Sequence, residues 1–231
     1  VESLGMVYKC HYPTHTLKTA RGARRSPFHD QLAAQGAYFV ETSGWESPGW
    51  YAGAGKVADP GPDTWGRPAW WSRWELEHRA ARENVIVMDM SFMGKFMVQG
   101  RDAGRCLNRI SANNVDGAVG EITYTQWLNT QGKLEADLTV TKLTDDRFFV
   151  VVTDTMVRHA ETWMKRNIPD GAHAFVTDVT SGYGQLNVQG PRSRELLQSL
   201  TSVDLSNAAF PFRAAREIDI GYARVLCTRI T

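Results

Sequence analysis

The clearest pattern in the chain is a strict alternation at residues 134–140, Leu-Glu-Ala-Asp-Leu-Thr-Val. It puts Leu134, Ala136, Leu138 and Val140 on one face and Glu135, Asp137 and Thr139 on the other. Period two with β-branched residues predicts a half-buried strand. The run "EITYTQWLN" before it, across the turn "TQGK", completes a hairpin, and "RFFVVVT" gives a third strand. Residues 85–100 read as strand, turn and strand, with Phe92, Gly94, Phe96 and Val98 alternating. Helical spacing replaces alternation at 27–37, 70–84, 101–110 and 154–168, the last stopped by Pro169. The closing part predicts strands at 174–177 and 184–188, a helix at 191–200 and one long strand over 214–231. Hairpins with helices set between them predict an α+β fold rather than a doubly wound parallel sheet.

The first 68 residues differ in character. They are rich in Gly, Pro, Trp and His, and Trp45–Pro68 is dense in turn residues and reads as irregular. The expected organisation is therefore a connector over 1–68 and a domain over 69–231. The chain starts at Val1 rather than Met and stops inside the strand-like "ARVLCTRIT", so both ends read as cut from a longer polypeptide. Gly53 and Gly55 form a bare GxG, and no GxGxxG follows a strand. A dinucleotide-binding turn is therefore not expected here.

Composition narrows the classes. Lys and Arg number 26 against 25 Asp and Glu, a net charge of +1, which argues against nucleic-acid binding. The longest apolar runs, such as Phe148–Val152, are far too short to span a bilayer. The three cysteines, Cys10, Cys106 and Cys227, lie far apart and read as reduced thiols. Cys10-His11 is the one close ligand pair, so no metal is expected.

Among the candidates for chemistry, Asp137 stands out because Asp is depleted in strands. Tyr124 on the preceding strand is placed to put an aromatic wall near it. Met88, Met90, Met93 and Met97 crowd one turn, as core filler or as a soft wall against a flat ring. Arg21, Arg24 and Arg25 form a basic cluster, a solvated or docking face or a site for an anionic tail. The histidines show no catalytic spacing.

The segment "EHRAARENVIVMDMSFMGKFMVQGRDA" resembles the start of the folate-binding region of dimethylglycine and sarcosine dehydrogenases. "YTQWLNTQGKLEADLTVTKL", "LNVQGPRSRELLQ" and "DLSNAAFPF" resemble later segments of that region. "LKTARGARRSPFHDQLAAQGA" and "GWESPGW" resemble the connector from a flavin domain. The wider family is that of the aminomethyltransferases, the glycine-cleavage T-proteins. The resemblance implies an α+β folate-binding domain, its N-terminal part, preceded by an irregular connector from a flavin domain outside this chain. It implies an FAD-dependent N-methyl amine oxidoreductase as parent. In it this part would bind tetrahydrofolate and accept the one-carbon unit, with FAD held by the N-terminal domain alone and this chain inactive by itself. It implies that Asp137 faces the folate in a cavity and is catalytic, and that Met93 and Tyr124 line the ring pocket with it. Thr153 stands where T-proteins carry an asparagine, and a second carboxylate of the family falls beyond Thr231. "VTSGYGQLNVQGPR" and "EIDIGYARV" equally resemble the regulatory subunit of pyruvate dehydrogenase phosphatase. A regulatory subunit and a non-catalytic folate-binding module are therefore the alternatives. The partners implied are folate and the parent's flavin domain. The compartment implied is the cytoplasm for a bacterial parent and the mitochondrial matrix for a eukaryotic one.

Overall fold

The computed structural model describes residues 2–231; Val1, the first residue of the expected connector, lies outside the described residues. In chain order the elements are α1 (Glu2–Met6), α2 (His29–Ala34), β1 (Ala37–Thr42), β2 (Trp45–Tyr51), α3 (Trp71–Glu83), β3 (Ile86–Asp89) and β4 (Gly94–Gln99). They continue with α4 (Ala103–Ile110), β5 (Ile122–Leu128), β6 (Leu134–Thr144), β7 (Arg147–Val152), α5 (Val157–Asn167) and β8 (Phe175–Asp178). The chain closes with β9 (Leu186–Gln189), α6 (Ser193–Gln198), β10 (Ala215–Ile220) and β11 (Ala223–Thr228). The contacts divide the chain into two compact units. One holds the residues up to Phe92 together with Gly184–Ser193; the other holds Met93–Tyr183 and Arg194–Thr231.

In the first unit, β1 and β2 pair antiparallel, as do β3 and β9. Trp45–Tyr51 is therefore a strand, not irregular chain. The sequence pattern hid it because Pro48 and Gly49 interrupt the alternation and a bulge shifts the register between Tyr38 and Phe39. The hairpin is closed by Ser43 (φ 49°) and Gly44 (φ 85°). Two successive positive φ values give a turn whose twist matches the strands. Buried Asp89 is the hub of a polar knot at the end of β3. Its Oδ1 accepts the Ser91 amide at 3.0 Å and the Ser91 hydroxyl at 2.6 Å, and its Oδ2 accepts the Ser26 hydroxyl. Three donors satisfy a carboxylate that would otherwise be costly to bury.

The second unit is built on a five-stranded antiparallel sheet of order β5-β6-β7-β4-β8. Its strands follow the predicted alternation, except where β6 shifts register at Glu135. Ala136, Leu138, Val140, Phe148, Val150, Phe96 and Val98 point to one face and are buried against α4 and α5, joined by Trp127, Leu107, Ala160 and Met164. The two strands read at 85–100 do not pair with each other: β3 joins β9 and β4 enters the large sheet. The closing segment, read as one strand, is two. Gly221 (φ 58°) and Tyr222 turn the chain so that β10 and β11 pair over a small core of Leu205, Phe210 and Ile218. A run of β formers conceals a turn when its only marker is one Gly. Among the described residues no helix is long and apolar enough to cross a membrane.

Candidate functional site

The face of the large sheet away from α4 and α5 carries the other half of each alternation, polar along most of β5 and β6 and mixed on β4 and β7, where Lys95, Met97, Phe149 and Val151 fall. Register places Gln126 opposite Asp137, and Tyr124 opposite Thr139. Thr139 lies opposite Val151, which lies opposite Lys95. Tyr124, Thr139, Val151 and Lys95 thus form one row across four strands. One residue beyond the paired stretches, Thr153 and Met93 extend the row that begins with Gln126 and Asp137. The sheet brings Met93, Tyr124 and Asp137, 44 residues apart in sequence at the extremes, onto one surface.

Tyr124 is the diagonal neighbour of Asp137, a separation that an aromatic side chain can bridge. Its hydroxyl donates to Asp137 Oδ2 at 2.7 Å. That bond holds the phenol proton and raises the Tyr124 pKa above its ordinary value, with the nearby negative charge adding to the effect. Oδ1 of Asp137 keeps its lone pairs for other donors. Tyr124 itself is set from outside the sheet, since Asn113 Nδ2 donates to its carbonyl at 2.9 Å and Ala112 N donates to the carbonyl of Gln126. This is how an edge strand holds its register without a sixth strand. Met93 is partly buried, and its carbonyl accepts Lys95 Nζ at 2.8 Å. Lys95 is 1% exposed, and its carbonyl and amide both meet Thr180. A lysine buried on this face is informative, because an ammonium is seldom buried without a role or a partner. Its only sign in the sequence is a Lys inside the apolar run "GKFMV".

The expectation that Asp137 faces a cavity is corrected here. Asp137 is exposed and Tyr124 is 56% exposed, so in this chain the pair lies on an open sheet face. Glu135 does not keep the predicted alternation with Asp137: the register of β6 shifts there, with Trp127 opposite Ala136 and Leu128 opposite Leu134. Its side chain meets α5 instead, Oε1 accepting Asn129 Nδ2 and Oε2 lying against His159 Nε2, each at 2.9 Å. Thr153 Oγ1 bonds Asp154 at 3.1 Å. The arginine cluster is largely spent inside the first unit. Arg21 pairs with Glu46, and Arg24 lies over the Trp45 ring. Met97 is 5% exposed, as core filler should be. A depression of about 580 Å³ in the first unit, lined by Lys9, Cys10, Tyr12 and His15 among others, involves none of these residues. No group of three metal-ligating side chains occurs among the described residues, and the three cysteines are free.

The pattern of the GCVT N-terminal domain matches residues 28–231. The chain belongs to the GCVT family. Its likeness to relatives runs over nearly its whole length. It is 37% identical over 225 residues to 4-methylaminobutanoate oxidase (formaldehyde-forming) of Paenarthrobacter nicotinovorans, covering 96% of this chain and 27% of that protein. It is 31% identical to the mitochondrial pyruvate dehydrogenase phosphatase regulatory subunit of Mus musculus, covering 96% of this chain and 26% of that protein. It is 28% identical to human mitochondrial sarcosine dehydrogenase, covering 91% and 27%. The chain thus spans about a quarter of the length of these curated relatives. Among solved structures, the glycine cleavage system aminomethyltransferase T of Bartonella henselae superposes with a TM-score of 0.68 at 20% identity, over 86% of this chain and 48% of that one. The α+β fold is therefore that of an aminomethyltransferase T. The GCVT match begins at residue 28, within the segment that composition sets apart as a connector.

Proposed function

We propose that this chain is the folate-binding part of a longer flavin-dependent oxidoreductase acting on an N-methyl amine, and that it receives the one-carbon unit. The observation that carries the reading is the Tyr124–Asp137 pair on a sheet face bordered by Met93, within a chain more alike to an amine oxidase than to a regulatory subunit. The residues suit the group. A flat ring bearing N–H donors needs an acceptor at its edge and soft or aromatic walls, and Asp137, Met93 and Tyr124 are of those types.

Tetrahydrofolate, when bound, supplies a nucleophilic ring nitrogen. Asp137 would stabilise positive charge that develops there and take the proton that the nitrogen loses. Tyr124 would hold the carboxylate so that Oδ1, not Oδ2, faces the ligand. Met93 would pack against the ring, its carbonyl fixed by Lys95. An open face screens such charges strongly, so the chemistry requires the rest of the parent to close over it and exclude water. Water is the competitor, because it hydrolyses an iminium to formaldehyde, the product in the name of the Paenarthrobacter relative.

The test is a tetrahydrofolate titration of the 231-residue chain, monitored by tryptophan fluorescence. Saturable one-site binding is expected, weakened at least tenfold by Asp137→Asn. Absence of binding, or equal binding by the variant, would refute the reading and favour a regulatory fold that kept its shape without the ligand.

A further inference from the structure

We propose that the cavity of the first unit binds a small dicarboxylate through Lys9 and Lys18. The site is independent of the folate reading, since it lies wholly within that unit. Three stretches of chain build its walls: residues 2–6, residues 9–18 and Asp63. Side-chain contacts tie the stretches together. Glu2 accepts the amides of Lys18 and Thr19 at 2.9 and 2.7 Å and the Thr19 hydroxyl at 2.5 Å. His15 Nδ1 lies 3.0 Å from Asp63 Oδ2, across 48 residues of sequence. The Tyr12 ring packs on Trp65, with centroids 5.0 Å apart. The volume, about 580 Å³, is that of a small-molecule site.

The charges in the lining sort into occupied and unoccupied. The Thr19 hydroxyl, with the Lys18 and Thr19 amides, holds the Glu2 carboxyl down to a pKa of about 2, so Glu2 is a carboxylate committed to residues 18–19. Asp63 is committed to His15. Lys9 and Lys18 are left over. Among the described residues neither ammonium has a carboxylate within ion-pair distance, and both side chains line the cavity. One exposed lysine without a partner is ordinary. Two on one cavity, whose own acids are both engaged elsewhere, leave a pair of cations facing the same space.

Two ammonium groups match two negative charges. A lysine is a point charge on a flexible four-carbon stem, so the pair can close on carboxylates at the two ends of one molecule. Gly5, Met6, Cys10 and Tyr12 supply uncharged lining for the carbon chain between them. Inorganic phosphate suits the cavity less well. A bare ion leaves most of the volume empty. The backbone amides that a phosphate nest would use, those of Lys18 and Thr19, already donate to Glu2.

Two measurements on the 231-residue chain test this, with glutarate as the probe. Calorimetric titration should show one saturable site with a Kd of roughly 1 mM or tighter. Lys9→Gln and Lys18→Gln should each weaken it about tenfold. Lys56→Gln, an exposed lysine of the same unit outside the cavity lining, should leave it unchanged. Cys10 gives a second readout that needs no variant. Saturating glutarate should slow its alkylation by iodoacetamide about fivefold or more, and leave that of Cys227 unchanged, read by peptide mass spectrometry. No saturable binding, wild-type affinity in the Lys9→Gln/Lys18→Gln double variant, or an unprotected Cys10 at saturation would each overturn the proposal. Phosphate binding as tightly as glutarate would overturn the dicarboxylate assignment. None of these outcomes bears on tetrahydrofolate binding, so the two readings fail separately.

Discussion

Asp137 and Glu135 sit two residues apart on one strand and are bound differently. Asp137 has one oxygen held by a phenol and one open, whereas Glu135 has both oxygens engaged. A substitution of Glu135 is therefore no neutral control for Asp137. Asp145, whose side chain is 95% exposed, serves better. In the full-length parent, Asp137→Asn is expected to shift product from methylene-tetrahydrofolate toward formaldehyde, and Asp145→Asn to leave the ratio alone. Chromatographic quantitation of both products decides it. The phenol gives a second check that needs no ligand. Asp137 holds the Tyr124 proton, so Tyr124 should ionise above the ordinary tyrosine range, and Asp137→Asn should bring its titration down. The sign comes from linkage: a raised folded pKa contributes stability at lower pH that is lost as pH rises through that pKa. Ultraviolet titration against a Tyr124→Phe blank isolates the group from Tyr51, which burial pushes up to about 12. Asp89 is a different kind of carboxylate, buried and bonded to both Ser26 and Ser91. Asp89→Ala leaves buried donors unmet and should cost roughly 3 kcal/mol in a urea melt.

At the scale of elements, close approach rather than propensity sets the geometry around the site. Gly94 opens β4 immediately after Met93, and a Cβ there would lie 2.6 Å from Val157 Cγ2 at the start of α5. Its absence lets α5 pack down on the sheet. Gly94→Ala should therefore destabilise by about 1–3 kcal/mol, as overpacking does, and weaken tetrahydrofolate binding through the displaced Met93. Gly100 is stricter still, because its φ is +128° and a Cβ would come within 2.1 Å of the His173 carbonyl oxygen. Gly100→Ala is expected to abolish soluble expression, whereas Gly132→Ala, with open space around it but a φ of +72°, should cost far less. Thermal melts of the purified variants compare them.

For the whole molecule, the contacts between segments predict where the chain opens. β1 and β2 bond to each other, and β3 bonds to β9 across nearly a hundred residues, so their amides should exchange slowly. The stretch 53–69 between β2 and α3 has no strand partner and is rich in Gly and Pro, and it should exchange within seconds. Mass spectrometry of exchanged peptides reads both. Uniform protection over 37–69 would contradict the expectation.

The sequence by itself determined the elements whose periodicity is local. The alternation of β6, the hairpin it forms with β5 and the helices α3, α4 and α5 all arise from side chains a few residues apart. So does the partition of Asp137 to the polar face, since parity along a strand admits no other result. The family was legible too, because its motifs are runs of neighbouring residues. Tertiary structure decided what depends on distant chain. Sequence could not show that β3 leaves β4 for β9, or that β2 survives a Pro and a bulge by pairing with β1. It could not show that one Gly folds the final β run back on itself. Nor could it show that a register shift in β6 separates two carboxylates that strict alternation puts together: Asn129 and His159 take up Glu135, while Tyr124 takes one oxygen of Asp137 and leaves the other open. Hydrogen bonds are satisfied by whichever groups the fold brings within about 3 Å, and sequence spacing carries no record of that distance.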